Sequence, residues 1–532
     1  MKLIDKKEYN HRDFSHFSYL VEKVLKCADL SNNQFDEILN PPVLSDPYLA
    51  KGLLDVGRRL KEIYEKKEKI LVCGDYDADG ICATAILVNA FQIIGIDCGF
   101  YIPDRLSEGY GLSVETVKNA LAKGYKNFIT VDNGVKAIDA MKYIREAGAS
   151  LILSDHHHYD EAEIDCDYFL HPFVMGEPFH TLSGAGVACL IARMLLKESK
   201  ESVILAGVAS VADCMEVFGE TRSFIRLGIN YLNQGYYPAI NALKNNPYDK
   251  MDEGLIGFQI APKLNGTGRM ADLAKANNTV RYLLSKDAEN LESGSKQINE
   301  INEIRKQVTT AMVEIANQQV NGKFFQIVSD PSFHEGVVGL VASKLSNELK
   351  KPVMVLAHRN GEYKGSIRSV ENLDLTEFFK DCSHLFNSYG GHKMAAGISF
   401  DEEHYEEIVN YIHLHSENLD FDEETIECIN IEESDLTISN VEDLRMIAPF
   451  GNGFKEPIFA VDIKIKSVST MSRDLHLKIV SEQGIEYVYF NHGKLADSMS
   501  SMKECKMIGH VSINKFRNVK KISFNVMETV SF

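Results

Sequence analysis

Lys69-Ile70-Leu71-Val72-Cys73-Gly74-Asp75-Tyr76-Asp77-Ala78-Asp79-Gly80 is the stretch on which the fold turns. Ile70, Leu71 and Val72 make a short apolar run of the kind that becomes a buried strand. It gives way at once to carboxylates at alternate positions, Asp75, Asp77 and Asp79, and from Ile81 to about Ile94 small and apolar residues continue as a helix. An acidic loop therefore lies at the carboxyl end of a strand, where open α/β sheets place their ligands. Carboxylates this close repel one another unless a cation sits between them, and hard oxygen donors suit Mg²⁺ or Mn²⁺. Taken alone, the loop reads equally well as a solvated turn capping the helix, since Asp is a good N-cap.

The pattern recurs downstream. Strands are expected at 97–102, Phe128-Ile129-Thr130-Val131 and Leu151-Ile152-Leu153, with helices at 113–123 and 136–147. This alternation predicts βαβ units and a parallel sheet. The second and third of these strands end on Asp132-Asn133-Gly134 and on Ser154-Asp155-His156-His157-His158. Asp213 ends the apolar stretch Ile204 to Ala212. Singly, Asp132 or Asp213 reads as a helix cap and the histidine run as a surface turn or core group. Parallel strands present their ends on one edge, so together the groups predict a divalent-metal site, with two ions clamping a phosphoryl group.

Composition sets limits. With 532 residues, 45% apolar and 25% charged, the chain fits a soluble protein of several domains. Its ten cysteines form no Cys-x-x-Cys pair, which argues against a zinc ribbon or disulfide framework and for free thiols in a reducing cytoplasm. No signal-peptide core and no membrane-spanning apolar run is expected. A net charge of -19 excludes a protein that coats nucleic acid by bulk electrostatics, but not one that grips a strand in a local groove. Acidic residues dominate from Asp401 to Asp443, whereas beyond Lys455 the basic residues outnumber the acidic ones.

Asp-Tyr-Asp-Ala-Asp-Gly, Val-Asp-Asn-Gly and Ser-Asp-His-His resemble the motifs of the DHH phosphoesterase superfamily, and within it the bacterial single-strand DNA exonucleases. The likeness runs from about residue 50 to 460 and takes in Ile102–Arg105 with Glu108–Gly111, Leu264–Met270, His334–Gly339, Gly365–Ser369, Gly390–Gly397 and Pro449–Gly451. It implies metal ligation by Asp77, Asp79, Asp132, His156 and Asp213, with Asp132 bridging. It further implies that His157 contacts the scissile phosphate or water and that Asp155 orients a histidine. Some relatives have a histidine ligand where Cys73 stands here, either a soft-metal ligand or a buried strand residue. Mn²⁺ is the implied cofactor, with Mg²⁺ as competitor, and two ions are expected.

Beyond the sheet, Ser285 to about Val320 reads as a long amphipathic helix joining two domains, because a βα pattern restarts at Phe324–Val328. Gly365-Ser366-Ile367-Arg368-Ser369 and Gly390-Gly391-His392 read as glycine-rich turns. The resemblance makes Ser366 and Arg368 holders of a terminal phosphate, with Arg105 and Arg269 contributing and His392 touching substrate across the cleft; otherwise these would be a tight turn and surface charges. From about Ile426 short alternating strands suggest a β-barrel like an oligonucleotide-binding fold, with Lys464, Lys466, His476, Lys478, Tyr489, Phe490, Lys515 and Arg517 as candidate contacts, or else a plain structural barrel.

The expected fold class is α/β: a helical leader (1–45), a parallel-sheet DHH domain (46–284), a connecting helix (285–320), a second α/β DHH-associated domain (321–425) and an OB-like barrel (426–532). The resemblance implies a cytoplasmic, monomeric exonuclease that removes nucleotides from the 5′ end of single-stranded DNA in repair and recombination. A helicase and a single-strand-binding protein are its implied partners. The alternatives are a relative acting on short RNA or cyclic dinucleotides, a non-catalytic replication scaffold, which would have lost ligands, and a simple single-strand binder.

Overall fold

The structure is a computed structural model and describes residues 2–10, 12–370, 373–417, 419, 425–516 and 519–530. The chain divides into two compact units, Leu44–Asp213 with Phe224–Asp422, and Met1–Val43 with Cys214–Ser223 and Glu423–Phe532.

The larger unit holds a five-stranded parallel sheet in the order Cys98–Tyr101, Ile70–Cys73, Asn127–Thr130, Ser150–Ser154, Tyr168–Leu170. The strand order reverses at Ile70–Cys73, whose two neighbours both follow it in sequence. The acidic loop thus sits at the switch point, where side loops diverge and leave a crevice. Helix Ala78–Ile94 follows the loop and is apolar on nearly every face, as a helix enclosed along all but its last turn must be. It packs on helices Gly184–Leu196 and Lys200–Ala212. It begins earlier than its apolar pattern suggests because Asp77 caps it, Oδ1 accepting from Gly80 N at 3.0 Å. It ends at Gly95, whose φ of +82° only glycine adopts freely.

The expected connecting rod is helix Ala288–Asn317. It leads to a second sheet in the order Ser388–His392, Ala395–Asp401, Glu362–Arg368, Val353–Arg359, Gln326–Asp330. Only the last pair is parallel. Here the sequence reading needs correction: Gly365–Arg368 and Gly390–His392 are strand, not turns. Gly365 is required by a close approach, since a Cβ there would lie 2.5 Å from Leu356 Cδ2 and 2.6 Å from the Val355 carbonyl oxygen.

In the smaller unit, strands Phe459–Met471, His476–Ser481, Glu486–Tyr489, Val519–Val530 and Glu504–Phe516 close into a barrel through pairing of the first with the last. Closure removes the exposed edges of a small sheet. Helices Tyr19–Lys26 and Asn32–Leu39 lie where a helical leader was expected. Strand Lys2–Asp5, which no pattern announced, pairs with Thr425–Ile431, and that strand in turn pairs with Phe459–Met471.

Segment 214–223 also belongs to this unit, held by a buried arginine. Arg222 donates to the carbonyl oxygens of Ile447 (2.7 Å), Ala448 (3.0 Å), Pro449 (3.2 Å) and Val217 (3.4 Å). A buried carbonyl left without a donor costs about 1–3 kcal/mol. Arg222→Met is therefore expected to destabilise this unit by about 3 kcal/mol, read as an earlier first transition in calorimetry of the full chain. An unchanged thermogram would mean that water replaces the guanidinium.

Candidate metal centre and phosphate pocket

The strand ends of the parallel sheet bring the carboxylates and imidazoles together. Asp79 lies in the first turn of helix Ala78–Ile94, and its side chain reaches the start of helix Gly184–Leu196. It accepts hydrogen bonds from Ser183 Oγ (2.9 Å), Gly184 N (2.7 Å) and Ala185 N (2.8 Å). Helix amino termini favour anions, so this carboxylate is held in place by backbone dipoles. Asp132 sits directly against the same helix start. A Cβ on Gly184 would lie 2.4 Å from Asp132 Cβ, so only glycine fits there.

His156 Nε2 is the hub. It lies 3.0 Å from Asp132 Oδ1, 3.6 Å from Asp213 Oδ2 and 3.7 Å from Asp79 Oδ2. Three groups have donor atoms within 4.8 Å of one another: Asp132, His156 and His157; Asp79, His156 and Asp213; and Asp75, Asp77 and Asp132. Asp132 and His156 each belong to two of them. Both carboxylate oxygens of Asp132 and Oδ1 of Asp75 are buried and accept no hydrogen bond. Orphaned buried anions are costly, and a hard cation is what would satisfy them. The donor set therefore fits divalent ions.

The proton affinities of the metal-free site reflect this crowding. Burial first, then neighbouring carboxylates, push Asp132 and Asp75 well above the usual carboxylate range. Burial and the charges of Asp79 and Asp77 raise Asp213 to about 8. Burial also lowers His156, keeping its ring neutral and able to ligate. Asp155 behaves oppositely. Although burial opposes ionisation, its Oδ1 lies 2.8 Å from His157 Nδ1 and it accepts from the amides of Val135, His156 and His157, so its carboxyl stays below the usual range. Burial works against protonation of His157 too, but Asp155 overrides it and lifts the imidazole to about 9.

Tyr110 adds a polar contact that the sequence did not suggest, its hydroxyl lying 3.0 Å from the Asp132 carbonyl oxygen and 3.3 Å from His157 Nδ1. Cys73 stands apart. Its thiol is buried, pushed up to about 12, and belongs to none of the three donor groups, so it is a strand residue here.

A second cluster is cationic. Arg368 Nη1 donates to Ser366 Oγ at 2.7 Å and Nε to Ser343 Oγ at 3.0 Å. Arg105 lies over the Tyr76 ring, 4.9 Å from its centroid. Burial, then the charges of Arg105, Arg305 and Arg368, lower Arg269 to about 10. Arg105, Arg305 and Arg368 thus lie near enough to Arg269 to oppose its charge, a cluster suited to an anion. Arg305, on helix Ala288–Asn317 and held by Asn302 Oδ1 at 3.1 Å, was not anticipated. Only its Asn-x-x-Arg spacing hinted that one helix face supplied both groups. His392 lies elsewhere, with its ring 5.5 Å from that of His158.

On the barrel, Phe490 is exposed and packs edge-on to His476, Lys464 and Lys466 are exposed, Tyr489 is buried, and Lys478 is paired with Glu486 at 2.9 Å. Arg517 and the side chain of Lys515 lie outside the described residues.

A parallel sheet with carboxylates and imidazoles gathered at its switch point, and a cluster of arginines in the same unit, is an arrangement suited to holding metal ions and phosphate. Family profiles agree: residues 69–215 match the DHH family N-terminal domain, 307–414 the DHHA1 domain and 429–528 the RecJ OB domain. The chain thus carries DHH, DHHA1 and RecJ OB domains and is similar to RecJ exonucleases over most of its length. It is 29% identical to the single-stranded-DNA-specific exonuclease RecJ of Bacillus subtilis over 90% of this chain, spanning 63% of that relative's length. It is 25% identical to RecJ of Haemophilus influenzae over 95% of both chains. RecJ of Thermus thermophilus in complex with Mn²⁺ shares the fold with a TM-score of 0.82 at 24% identity, over 96% of this chain and 75% of that one. A crystal structure of exonuclease RecJ bound to manganese matches at 28% identity and a TM-score of 0.61, over 70% of this chain and 96% of that one.

Proposed function

We propose that the protein is a single-strand-specific DNA exonuclease that hydrolyses phosphodiester bonds from the 5′ end, using Mn²⁺ or Mg²⁺. The observation that carries this reading is the pairing of a cation-hungry carboxylate and imidazole edge with an anion-hungry arginine pocket in one unit. Asp77, Asp79, Asp132, His156 and Asp213 would hold two ions, with Asp75 close by. When bound, the ions neutralise the scissile phosphate and lower the pKa of a water.

The remaining steps fall to the chain itself. Asp155 fixes the ring and tautomer of His157, as an outer carboxylate does for a working histidine. His157 then offers an N–H toward the phosphate oxygens. Arg368, Arg269, Arg105 and Ser366 hold the terminal phosphate and so set which bond is presented, with Arg305 adding to their field. His158 and His392, from the two sheets of this unit, bring their ring centroids to 5.5 Å of each other.

A protein that needs a free strand fits alongside a helicase that opens duplex and a single-strand-binding protein that keeps it open. No helix among the described residues is long and apolar enough to cross a membrane.

The test uses end-labelled single strands with and without a 5′ phosphate in Mn²⁺, alongside short RNA and a cyclic dinucleotide. Release of mononucleotides from the 5′ end of DNA is expected. Arg368→Gln should lower kcat/KM for the phosphorylated strand about 30-fold, from the loss of charge-assisted hydrogen bonds, and erase the preference over a 5′ hydroxyl. Faster cleavage of the dinucleotide than of DNA would replace this reading with that of a dinucleotide phosphodiesterase.

A further inference from the structure

We propose that Phe173, His158 and His392 form a stacking platform for one nucleobase at the rim of the catalytic edge, an inference that rests on single-stranded DNA being the substrate. Phe173 leaves 61% of its surface exposed, although it lies in a short helix, Pro172–Met175, and not at a chain end. An exposed aromatic means little alone, but this one is firmly positioned. His171, fully buried, has Nε2 3.0 Å from the His157 carbonyl oxygen and Nδ1 3.2 Å from the Phe173 amide. Both bonds form only if Nε2 carries the proton and Nδ1 accepts, which is a neutral ring, and burial favours that form. One imidazole therefore ties the backbone beneath Phe173 to the backbone of His157, a member of the proposed metal centre.

The other two rings extend this row. His158 lies 6.0 Å from Phe173 and 5.5 Å from His392, which comes from strand Ser388–His392 of the second sheet. Both histidines are exposed. The row begins one residue beyond His157 and crosses the mouth between the two sheets. A strand whose phosphates face the carboxylate edge and the arginines must turn its bases away from them. An aromatic face accepts any base, which suits an enzyme that has to pass every sequence.

The test compares the wild type with Phe173→Ala and Phe173→Trp on 5′-phosphorylated oligonucleotides, each with one tetrahydrofuran abasic unit at a different position from the 5′ end. Wild type should lose about tenfold in kcat/KM at one position, the size expected for one stacked base. Phe173→Ala should lose about the same factor on the intact strand and no longer respond to the abasic unit at that position, whereas Phe173→Trp should behave as wild type. An equal loss by Phe173→Ala on intact and abasic strands, or no loss at all, overturns the platform. Fluorescence anisotropy of the same strands in EDTA repeats the comparison without cleavage. If wild type cuts no DNA the exonuclease reading fails, while an anisotropy response confined to one position and removed by Phe173→Ala would still support the platform.

Discussion

Asp132→Asn should lower kcat on single-stranded DNA by at least about 1000-fold if Asp132 is a metal ligand as proposed, since loss of its charge would forfeit about 4 kcal/mol of the ions' hold on the reacting phosphate. The same change should raise the thermal midpoint of the metal-free protein at pH 8. Asp132 is buried against Asp75, Asp77, Asp79 and Asp213, and its oxygens accept no hydrogen bond, so an amide in its place relieves part of the repulsion among these carboxylates. A variant that is inactive and at the same time more stable without metal is the mark of a residue kept for an ion. Activity within tenfold of wild type would remove Asp132 from the centre. Inactivity with a lowered midpoint would recast it as a packing residue pressed against Gly184.

The second large effect is a stability that depends on pH in opposite ways with and without metal. In the metal-free protein Asp75, Asp79, Asp132 and Asp213 bind protons more tightly folded than unfolded. Such groups support the fold below the ordinary carboxylate pKa, and their contribution is lost as pH rises through the folded value, about 8 for Asp213. His157, lifted to about 9, acts in the same direction between the ordinary histidine range and that value. His156, lowered, acts oppositely and only in acid. The midpoint in EDTA should therefore fall by about 5 °C or more between pH 6 and pH 8.5. With saturating Mn²⁺ it should stay level or rise, because ions compete with protons for the same oxygens and bind more tightly as pH increases. Calorimetry at both pH values in EDTA and in Mn²⁺ decides it; parallel curves would show that the carboxylates are not coupled to metal.

The carboxylate and imidazole edge was legible in the sequence because parallel strands impose their own geometry. Once Asp75 to Asp79, Asp132 and Asp155 to His157 were placed at strand ends, the sheet had to put them on one side. The glycine segments at 365–369 and 390–392 were misread for a physical reason: glycine usually marks a turn, and only the neighbouring strand shows that Gly365 makes room for Leu356 and Val355. Arg222 looks like any surface arginine until segment 214–223 is seen joined to residues 447–449. The role of His171 was equally hidden, since a bond to a carbonyl fourteen residues away leaves no periodic trace. Strand Lys2–Asp5 has four residues, and its partner lies more than 400 residues downstream.

That last pairing has a consequence for how the protein is made. Synthesis proceeds from the amino end, so residues 2–43 emerge long before Thr425–Ile431, the strand that receives them, has been translated. Until then helix Tyr19–Lys26 also lacks the helix it packs on, Ile438–Asp443. The larger unit meanwhile can complete its parallel sheet. The larger unit is thus translated before the strand that receives residues 2–5, and the newborn chain must keep that early segment from sticking to other molecules until Thr425–Ile431 arrives.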